Sequence, residues 1–252
     1  MLGEILDKLA LVTPRSRVTF RVTEAPLNLL MIELIQFPWS NFCAVARTIL
    51  QASGAKFKVT NIPNGDRTRV WKLTQGRSYQ VPLVRNGAKV VFESGDDTQD
   101  VARYLDRLFQ LDLFPAHLDG VQDIVWRHIE DAVETPEFKL SDSHWREYVP
   151  KAEALGFVRH KERKFGRGCL DRWAAQRPEL LAQFTAALAP YEAMLATRPF
   201  LLDDRPRFVD FDLYGMCFNY LWTGHYELPV EHRRLRAWHA RMAQVKLSRT
   251  TK

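Results

Sequence analysis

Short apolar segments of two kinds alternate along the first 110 residues. Runs of apolar and β-branched residues predict strands, whereas apolar residues spaced three and four apart predict helices. The predicted strands are 29–37, 57–62, 83–85 and 89–92, and the predicted helices are 42–53, 67–75 and 101–108. Gly54 follows the first of these helices, at the position where a helix commonly ends.

The connections between these segments determine how the strands pair. A strand–helix–strand unit needs a crossover, which makes its two strands parallel. Asn86-Gly87 between the last two strands is typical of a tight hairpin, which makes them antiparallel. We therefore expect a mixed four-stranded sheet covered by helices, in the order of a thioredoxin-like domain. Residues 1–28 form an N-terminal extension, with a helix predicted at 2–11 and a strand at 18–22.

The strand patterns stop after Pro115, and helical periodicity takes over. The predicted helices are 119–135, 151–174, 178–196, 210–224 and 231–245, with prolines close to several of their boundaries. The expected fold class is therefore α+β. A thioredoxin-like domain over 29–110 is followed by a linker at 111–118 and an all-helical domain over 119–252.

Composition excludes several classes of protein. The 252 residues are 46% hydrophobic and 26% charged, which excludes a disordered, collagenous or mucin-like chain. No apolar run approaches the ~18 residues of a membrane-spanning helix, so no membrane partner is expected. The net charge of +6 is compatible with nucleic acid, a membrane surface or a small acidic ligand, and does not choose among them.

Cysteine and histidine usage points to a reduced protein without a metal. The three cysteines are odd in number and widely spaced, so neither a disulfide framework nor a zinc site is expected, and a cytoplasmic setting is the default. The seven histidines include no pair at metal-ligand spacing on one helical face.

Three segments place polar groups where predicted strands and helices meet. Ser40 lies at the start of the first helix, where a hydroxyl can stabilise a thiolate or simply cap the helix. Val81-Pro82 enters a strand and can form a cis bond that presents backbone groups to a ligand. Glu93-Ser94 ends the hairpin and is expected to open the next helix, where the pair can bind an ammonium and a carboxylate or act as a cap. Taken singly, the three segments favour the structural interpretations.

In their order and spacing these segments resemble the cytosolic glutathione S-transferase family. Val81 and Glu93 are twelve residues apart, and Arg47 follows Ser40 by seven. The helical half adds a Val-Asp-Phe-Asp-Leu-Tyr-Gly sequence at 209–215 and Leu-Arg-Ala-Trp-His-Ala-Arg-Met at 235–242, both similar to sequences of that family. The resemblance covers residues 29–245.

The resemblance implies a cytoplasmic, homodimeric detoxification enzyme that uses glutathione as substrate and needs no metal. Ser40 would be the catalytic residue that hydrogen-bonds the glutathione sulfur. The implied glutathione-binding residues are Gln80, Val81, cis-Pro82, Glu93 and Ser94. A small hydrophobic electrophile would bind between the domains, and the aromatic candidates for its pocket are Trp39, Trp126, Phe165 and Trp222.

Two departures and two alternatives accompany the resemblance. Arg207 stands where the family usually has Ser or Thr, and Asn41 stands where it usually has a small residue. Cys43, three residues after Ser40, leaves open a glutathione-dependent thiol–disulfide oxidoreductase. A non-catalytic interaction protein is also open, with the basic segment 159–167 as its contact. For that segment a solvated helix face is favoured over a nucleic-acid site, because no stacking aromatics accompany it.

Overall fold

The computed structural model describes residues 31–95 and 98–248. The N-terminal extension, with the helix predicted at 2–11 and the strand at 18–22, lies outside the described residues. Within the described part, no helix has both the length and the apolar character needed to cross a membrane.

The first half of the described chain forms a mixed four-stranded sheet. Its strands are β1 (Ile32–Gln36), β2 (Phe57–Asn61), β3 (Leu83–Asn86) and β4 (Lys89–Phe92). The spatial order is β2-β1-β3-β4, with β1 parallel to β2 and antiparallel to β3, and with β3 antiparallel to β4. The crossover and the Asn86-Gly87 hairpin therefore pair the strands as the sequence predicts, and the expected fold class is confirmed.

Strand β1 is buried on both faces, which explains why its sequence is nearly continuous in apolar residues. Leu34 lies opposite Val84 of β3, and both belong to the main core. Ile35 lies opposite Leu83, and both belong to a smaller core on the other face, which also contains Val70 of the short helix after β2.

Helices make up the rest of the described chain. Their bounds are α1 (Asn41–Ala52), α2 (Thr68–Leu73), α3 (Asp100–Phe109), α4 (Asp119–His128), α5 (Thr135–Asp142), α6 (Trp145–Tyr148), α7 (Ala154–Phe165), α8 (Cys169–Ala175), α9 (Arg177–Met194), α10 (Phe208–Trp222) and α11 (Arg233–Met242). The single helix predicted over 151–174 is wrong. It is two helices, because Gly166 and Gly168 between α7 and α8 both have positive φ, at 88° and 70°.

A π-helical turn, Ile129–Glu134, joins α4 to α5 without a break. Pro136 lies in the first turn of α5 and has no N–H for the carbonyl of Ala132, which its ring also crowds. The wider turn relieves this conflict, and such turns often occur at functional sites. The sequence analysis treated Pro136 as a helix end and therefore missed α5 and α6.

Helix α10 packs directly on α1 and joins the sheet domain to the helical domain. The two helices approach closely at Gly215, where a β-carbon would lie 2.5 Å from Val45 Cγ2 and 2.8 Å from the Asn41 carbonyl oxygen. The segment predicted as a linker, 111–118, is part of the same junction. Leu113 is fully buried, and its carbonyl accepts hydrogen bonds from the Phe208 N–H (3.1 Å) and from Gln122 Nε2 (3.0 Å).

Asp210 organises the start of α10. Its carboxylate accepts hydrogen bonds from the N–H groups of Arg207 and Leu201, both at 2.9 Å, and from Trp238 Nε1 at 2.8 Å. The two helical sequence motifs are therefore in contact through a buried carboxylate. The Arg207 side chain, which replaces the usual hydroxyl residue, forms ion pairs with Asp112 at 2.7 Å and with Asp203.

Candidate active site

A cleft of about 660 Å³ opens between the sheet domain and the helical domain. The sheet domain contributes the N-terminal end of α1, the loop that enters β3, and the loop and first turn at α3. The helical domain contributes side chains from α4, from the π-helical turn, from α7 and from α10. Those helical residues are Trp126, Glu130, Asp131, Glu134, His160, Lys164, Phe208 and Asp212.

Ser40 lines this cleft as the N-cap of α1. Its Oγ accepts a hydrogen bond from the Cys43 N–H at 3.3 Å, so the capping role considered from sequence is present. A hydroxyl that accepts one bond can still donate its own proton. The same Oγ stands at the positive end of the α1 dipole, which favours a negative charge beside it.

Cys43 lies one turn into α1 and is fully buried. Burial raises the pKa of its thiol to about 11, against smaller opposing effects of the Ser40 hydroxyl and of Arg47. The thiol is therefore protonated at neutral pH and has no access to solvent. Both properties argue against the oxidoreductase alternative, since the thiolate is the reactive form.

The Val81–Pro82 peptide bond is cis, and both residues line the cleft. Gln80 lines it too, with an exposed side chain and a backbone N–H that donates to Ser78 Oγ at 3.1 Å. These three residues of the sequence prediction therefore face the same space as Ser40.

The expectation that Glu93-Ser94 opens the next helix is wrong. Helix α3 begins only at Asp100. Glu93 reaches this end through its side chain, which accepts hydrogen bonds from the N–H groups of Asp100 (2.8 Å) and Val101 (3.2 Å) and from Thr98 Oγ1 (2.8 Å). Burial raises the pKa of the Glu93 carboxyl. Ser94 is exposed, and its hydroxyl donates to Asp100 Oδ2 at 2.6 Å.

Thr98 lines the cleft, whereas Ser94 is not among the described lining residues. Glu93 and Gln99 belong to the same lining. The hydroxyl nearest the N-terminus of α3 on the cleft side is therefore that of Thr98.

Arg67, which the sequence analysis did not single out, brings a cation to the cleft. Its guanidinium lies 4.0 Å from the centre of the Phe37 ring, and its Nε donates to the Asn64 carbonyl at 3.0 Å. Burial lowers the pKa of Arg67 to about 10, so the group remains charged at neutral pH. A lone arginine beside a weakly predicted helix carries no sequence signal that would have marked it.

Of the four aromatic residues predicted for the second-substrate pocket, only Trp126 belongs to the cleft lining that the structure describes. Trp39 stacks on Phe37 at 5.6 Å, in the smaller core. Phe165 packs against Trp173 at 5.2 Å, within the helical domain. Trp222 is 40% exposed on α10. Phe42 and Phe208 provide apolar cleft surface instead.

The basic segment 159–167 has a more specific position than a solvated helix face. His160 and Lys164 line the cleft, and Lys161 forms an ion pair with Asp142 at only 18% side-chain exposure. Lys164 and Lys161 partly oppose the burial that raises the pKa of Glu134 across the cleft. The solvated-face interpretation is therefore wrong for Lys161, whereas His160 and Lys164 are exposed at the cleft.

The fold also brings together His144, Glu147 and His225, which the sequence did not group. Both histidines contact the Glu147 carboxylate, at 3.3 and 2.7 Å. Their rings stack with centroids 3.8 Å apart and planes only 15° apart, so their in-plane lone pairs point along near-parallel planes rather than toward one ion. The three side chains therefore form a cluster in which both histidines hydrogen-bond to Glu147.

Two family descriptions match the chain. "Glutathione S-transferase, N-terminal domain" matches residues 34–112, and "Glutathione S-transferase, C-terminal domain" matches residues 174–241. A comparison with curated protein sequences gave no match.

Among solved structures, the chain is similar to a glutathione transferase from Phanerochaete chrysosporium, with a TM-score of 0.74, 17% identity and coverage of 88% of this chain and 100% of that one. It is also similar to a Ceriporiopsis subvermispora glutathione S-transferase in complex with glutathione (0.73, 15%, 88% and 100%). A theta-class enzyme from Xanthomonas axonopodis pv. citri with glutathione bound gives a TM-score of 0.61 at 22% identity, covering 84% and 92% of the two chains.

Proposed function

Since the chain belongs to the glutathione S-transferase family, with matches that together cover more than half of its length, we propose that it binds glutathione in the cleft and transfers the glutathione sulfur to a small electrophile. One observation carries this proposal. The cleft collects the N-terminus of α1 at Ser40, the cis Val81–Pro82 bond and the N-terminal end of α3 on a single surface. These elements present the donors that a thiol, a peptide backbone and a carboxylate need.

We match the charged groups of the tripeptide to groups of opposite charge and to hydrogen-bond donors on this surface. The sulfur lies at Ser40, and the peptide backbone of its cysteine pairs with the backbone of Val81. The glycine carboxylate lies toward Arg67 and Gln80, because Arg67 is the cation that the sheet domain contributes to the described cleft lining. The γ-glutamyl group lies at α3, with its ammonium beside Glu93. Its carboxylate accepts a hydrogen bond from the Thr98 hydroxyl, which turns to it from Glu93 when glutathione binds.

The reaction follows from the position of Ser40. The hydroxyl donates a hydrogen bond to the sulfur, and the α1 dipole adds to the stabilisation of the thiolate. A charge-assisted hydrogen bond contributes about 1.5–3 kcal/mol, which lowers the pKa of the bound thiol by roughly one to two units. The thiolate lone pair then forms a bond to the electrophilic carbon, and the leaving group departs with its bonding electrons. The proposal includes a homodimer, a cytoplasmic location and a role in detoxification, each inferred from the family.

Calorimetric titration with glutathione tests the proposal, with its S-methyl derivative as the comparison ligand. We expect both to bind, because most of the contacts lie away from the sulfur. We expect proton release only with glutathione, since only its thiol ionises on binding. Absence of heat at millimolar glutathione would instead support the interaction-protein alternative. Release of a partner from the 159–167 segment by added salt would then be the next measurement.

A further inference from the structure

Asp212 is a buried acid in the cleft wall, and one of its carboxylate oxygens is unpartnered among the described residues. It lies on α10, is only 3% exposed and belongs to the cleft lining. Its Oδ2 has no hydrogen-bond partner within the described part of the chain. A buried carboxylate oxygen without a partner is costly, so its retention beside a cavity points to a group that enters the cavity.

The charged groups that act on Asp212 are themselves acidic. They are Glu130 and Glu134 on the π-helical turn and Glu93 across the cleft, and all three line the same cavity. Two cations of α7, Lys164 and Lys161, partly offset the burial of Glu134. Burial and these neighbouring acids raise the pKa of Asp212 well above its ordinary value, and a cation that enters the cleft would stabilise the ionised form of its carboxyl group.

No three of these acids converge as the ligands of a metal ion do. Among the described residues, the one group whose ligand atoms lie within 4.8 Å of one another is His144, Glu147 and His225, and it contains none of these acids. Phe208 lies one turn before Asp212 on α10, Trp126 Nε1 donates to Glu130 Oε1 at 3.2 Å, and both rings line the cleft. The faces of aromatic rings attract cations. Carboxylates beside aromatic faces form a suitable binding site for an organic cation.

We propose that the second-substrate site selects electrophiles that carry an organic cation, and that this ammonium or amidinium group contacts Asp212. The catalytic part of this inference rests on the proposed glutathione chemistry. The binding part does not, because Asp212, Trp126 and Phe208 all belong to the helical domain and need no glutathione to attract a cation.

Binding is tested first and without glutathione, by calorimetric titration with benzyltrimethylammonium. We expect Asp212→Asn to weaken binding by at least about tenfold, through loss of a close charge pair in a partly buried site. Asp204→Asn is the matched control, since Asp204 is exposed and outside the cleft lining, and its affinity should equal that of the wild type. Glu134→Gln should cause a smaller loss in the same direction, which keeps the test decisive if Asp212→Asn does not fold.

Conjugation is tested with two benzyl bromides that differ in one atom, 4-(trimethylammoniomethyl)benzyl bromide and its neutral 4-neopentyl isostere. We expect the cationic substrate to have the higher kcat/KM after correction for the uncatalysed rate, and Asp212→Asn to abolish that preference while sparing the neutral substrate. Equal affinity of wild type and Asp212→Asn for benzyltrimethylammonium would overturn the inference. Cation binding without conjugation of either bromide would instead count against the proposed transferase activity.

Discussion

Replacing Gly215 with alanine should destabilise the junction of the two domains and distort the active site. The new β-carbon would lie 2.8 Å from the Asn41 carbonyl oxygen and 2.5 Å from Val45 Cγ2. Val45 can rotate, but the carbonyl belongs to the backbone of α1. Optimal separation is about 3.5 Å or more, so α10 must move away by roughly 0.7 Å. Such overpacking costs about 1–3 kcal/mol, partly offset by the ~0.5–1 kcal/mol that alanine gains over glycine in a helix.

Thermal unfolding measures this effect. A net loss of about 1–2 kcal/mol should lower Tm by roughly 2–8 °C in a chain of this size. Gly156→Ala is the matched control, because Gly156 also lies within a helix, α7, and its β-carbon would meet nothing within 4 Å. That variant should be slightly more stable than the wild type. A Gly215→Ala protein as stable as the Gly156→Ala protein would refute the conclusion that α1 and α10 approach too closely at Gly215 to admit a β-carbon.

Three further predictions concern the cleft and the acids behind it. Ser40→Ala should lower the conjugation rate ~10–100-fold near neutral pH, and the rate should recover at higher pH as the bound thiol ionises unaided. A pH–rate profile parallel to that of the wild type would contradict this role of Ser40. Thr98→Val should weaken glutathione binding by about tenfold in calorimetry, whereas Ser94→Ala should leave it unchanged, and the reverse ranking would restore the original sequence assignment. Burial raises the pKa of Glu137 well above its ordinary value. The contribution of this group to the free energy of unfolding is therefore fully present below about pH 4 and is lost as the pH rises toward its folded pKa. Glu137→Gln should therefore gain stability over the wild type by up to ~1.4 kcal/mol per pH unit in urea unfolding as the pH rises from about 4 toward the raised pKa of Glu137, whereas the exposed Glu231→Gln should show no such trend.

The sequence was sufficient where one local pattern determined the structure. Strand pairing followed from the crossover and from Asn86-Gly87, and Ser40 followed from its place between a strand and an amphipathic helix. The start of α3 was mistaken because two signals disagreed. Apolar periodicity begins at Val101, whereas the Glu93-Ser94 pair suggested a helix opening several residues earlier. The structure follows the periodicity, because the Glu93 side chain reaches forward to cap the later helix end.

Side chains of the cleft were harder to assign, because the same helical spacing serves a core and a pocket. Trp126 and Phe165 both lie on apolar stripes, yet only Trp126 is among the residues that line the cleft in the described structure. The basic segment poses the same problem. Lys164 faces the cleft and Lys161 faces Asp142, and only the packing of α7 against its neighbours separates them. Asp212 was missed because an aspartate in the first turns of a helix normally indicates capping.

The two departures from the family pattern both lie at the junction between the domains. Asn41 replaces a small residue, and its Nδ2 extends from the start of α1 to Met216 Sδ at 3.2 Å and to Glu137 Oε2 at 3.5 Å, both in the helical domain. Arg207 replaces a hydroxyl residue, and its guanidinium pairs with Asp112 in the segment that connects the domains. Capping of α10 survives this replacement, because the Asp210 carboxylate still accepts the Arg207 N–H. Each departure therefore adds a contact at the domain junction, and neither removes a group that the proposed chemistry needs.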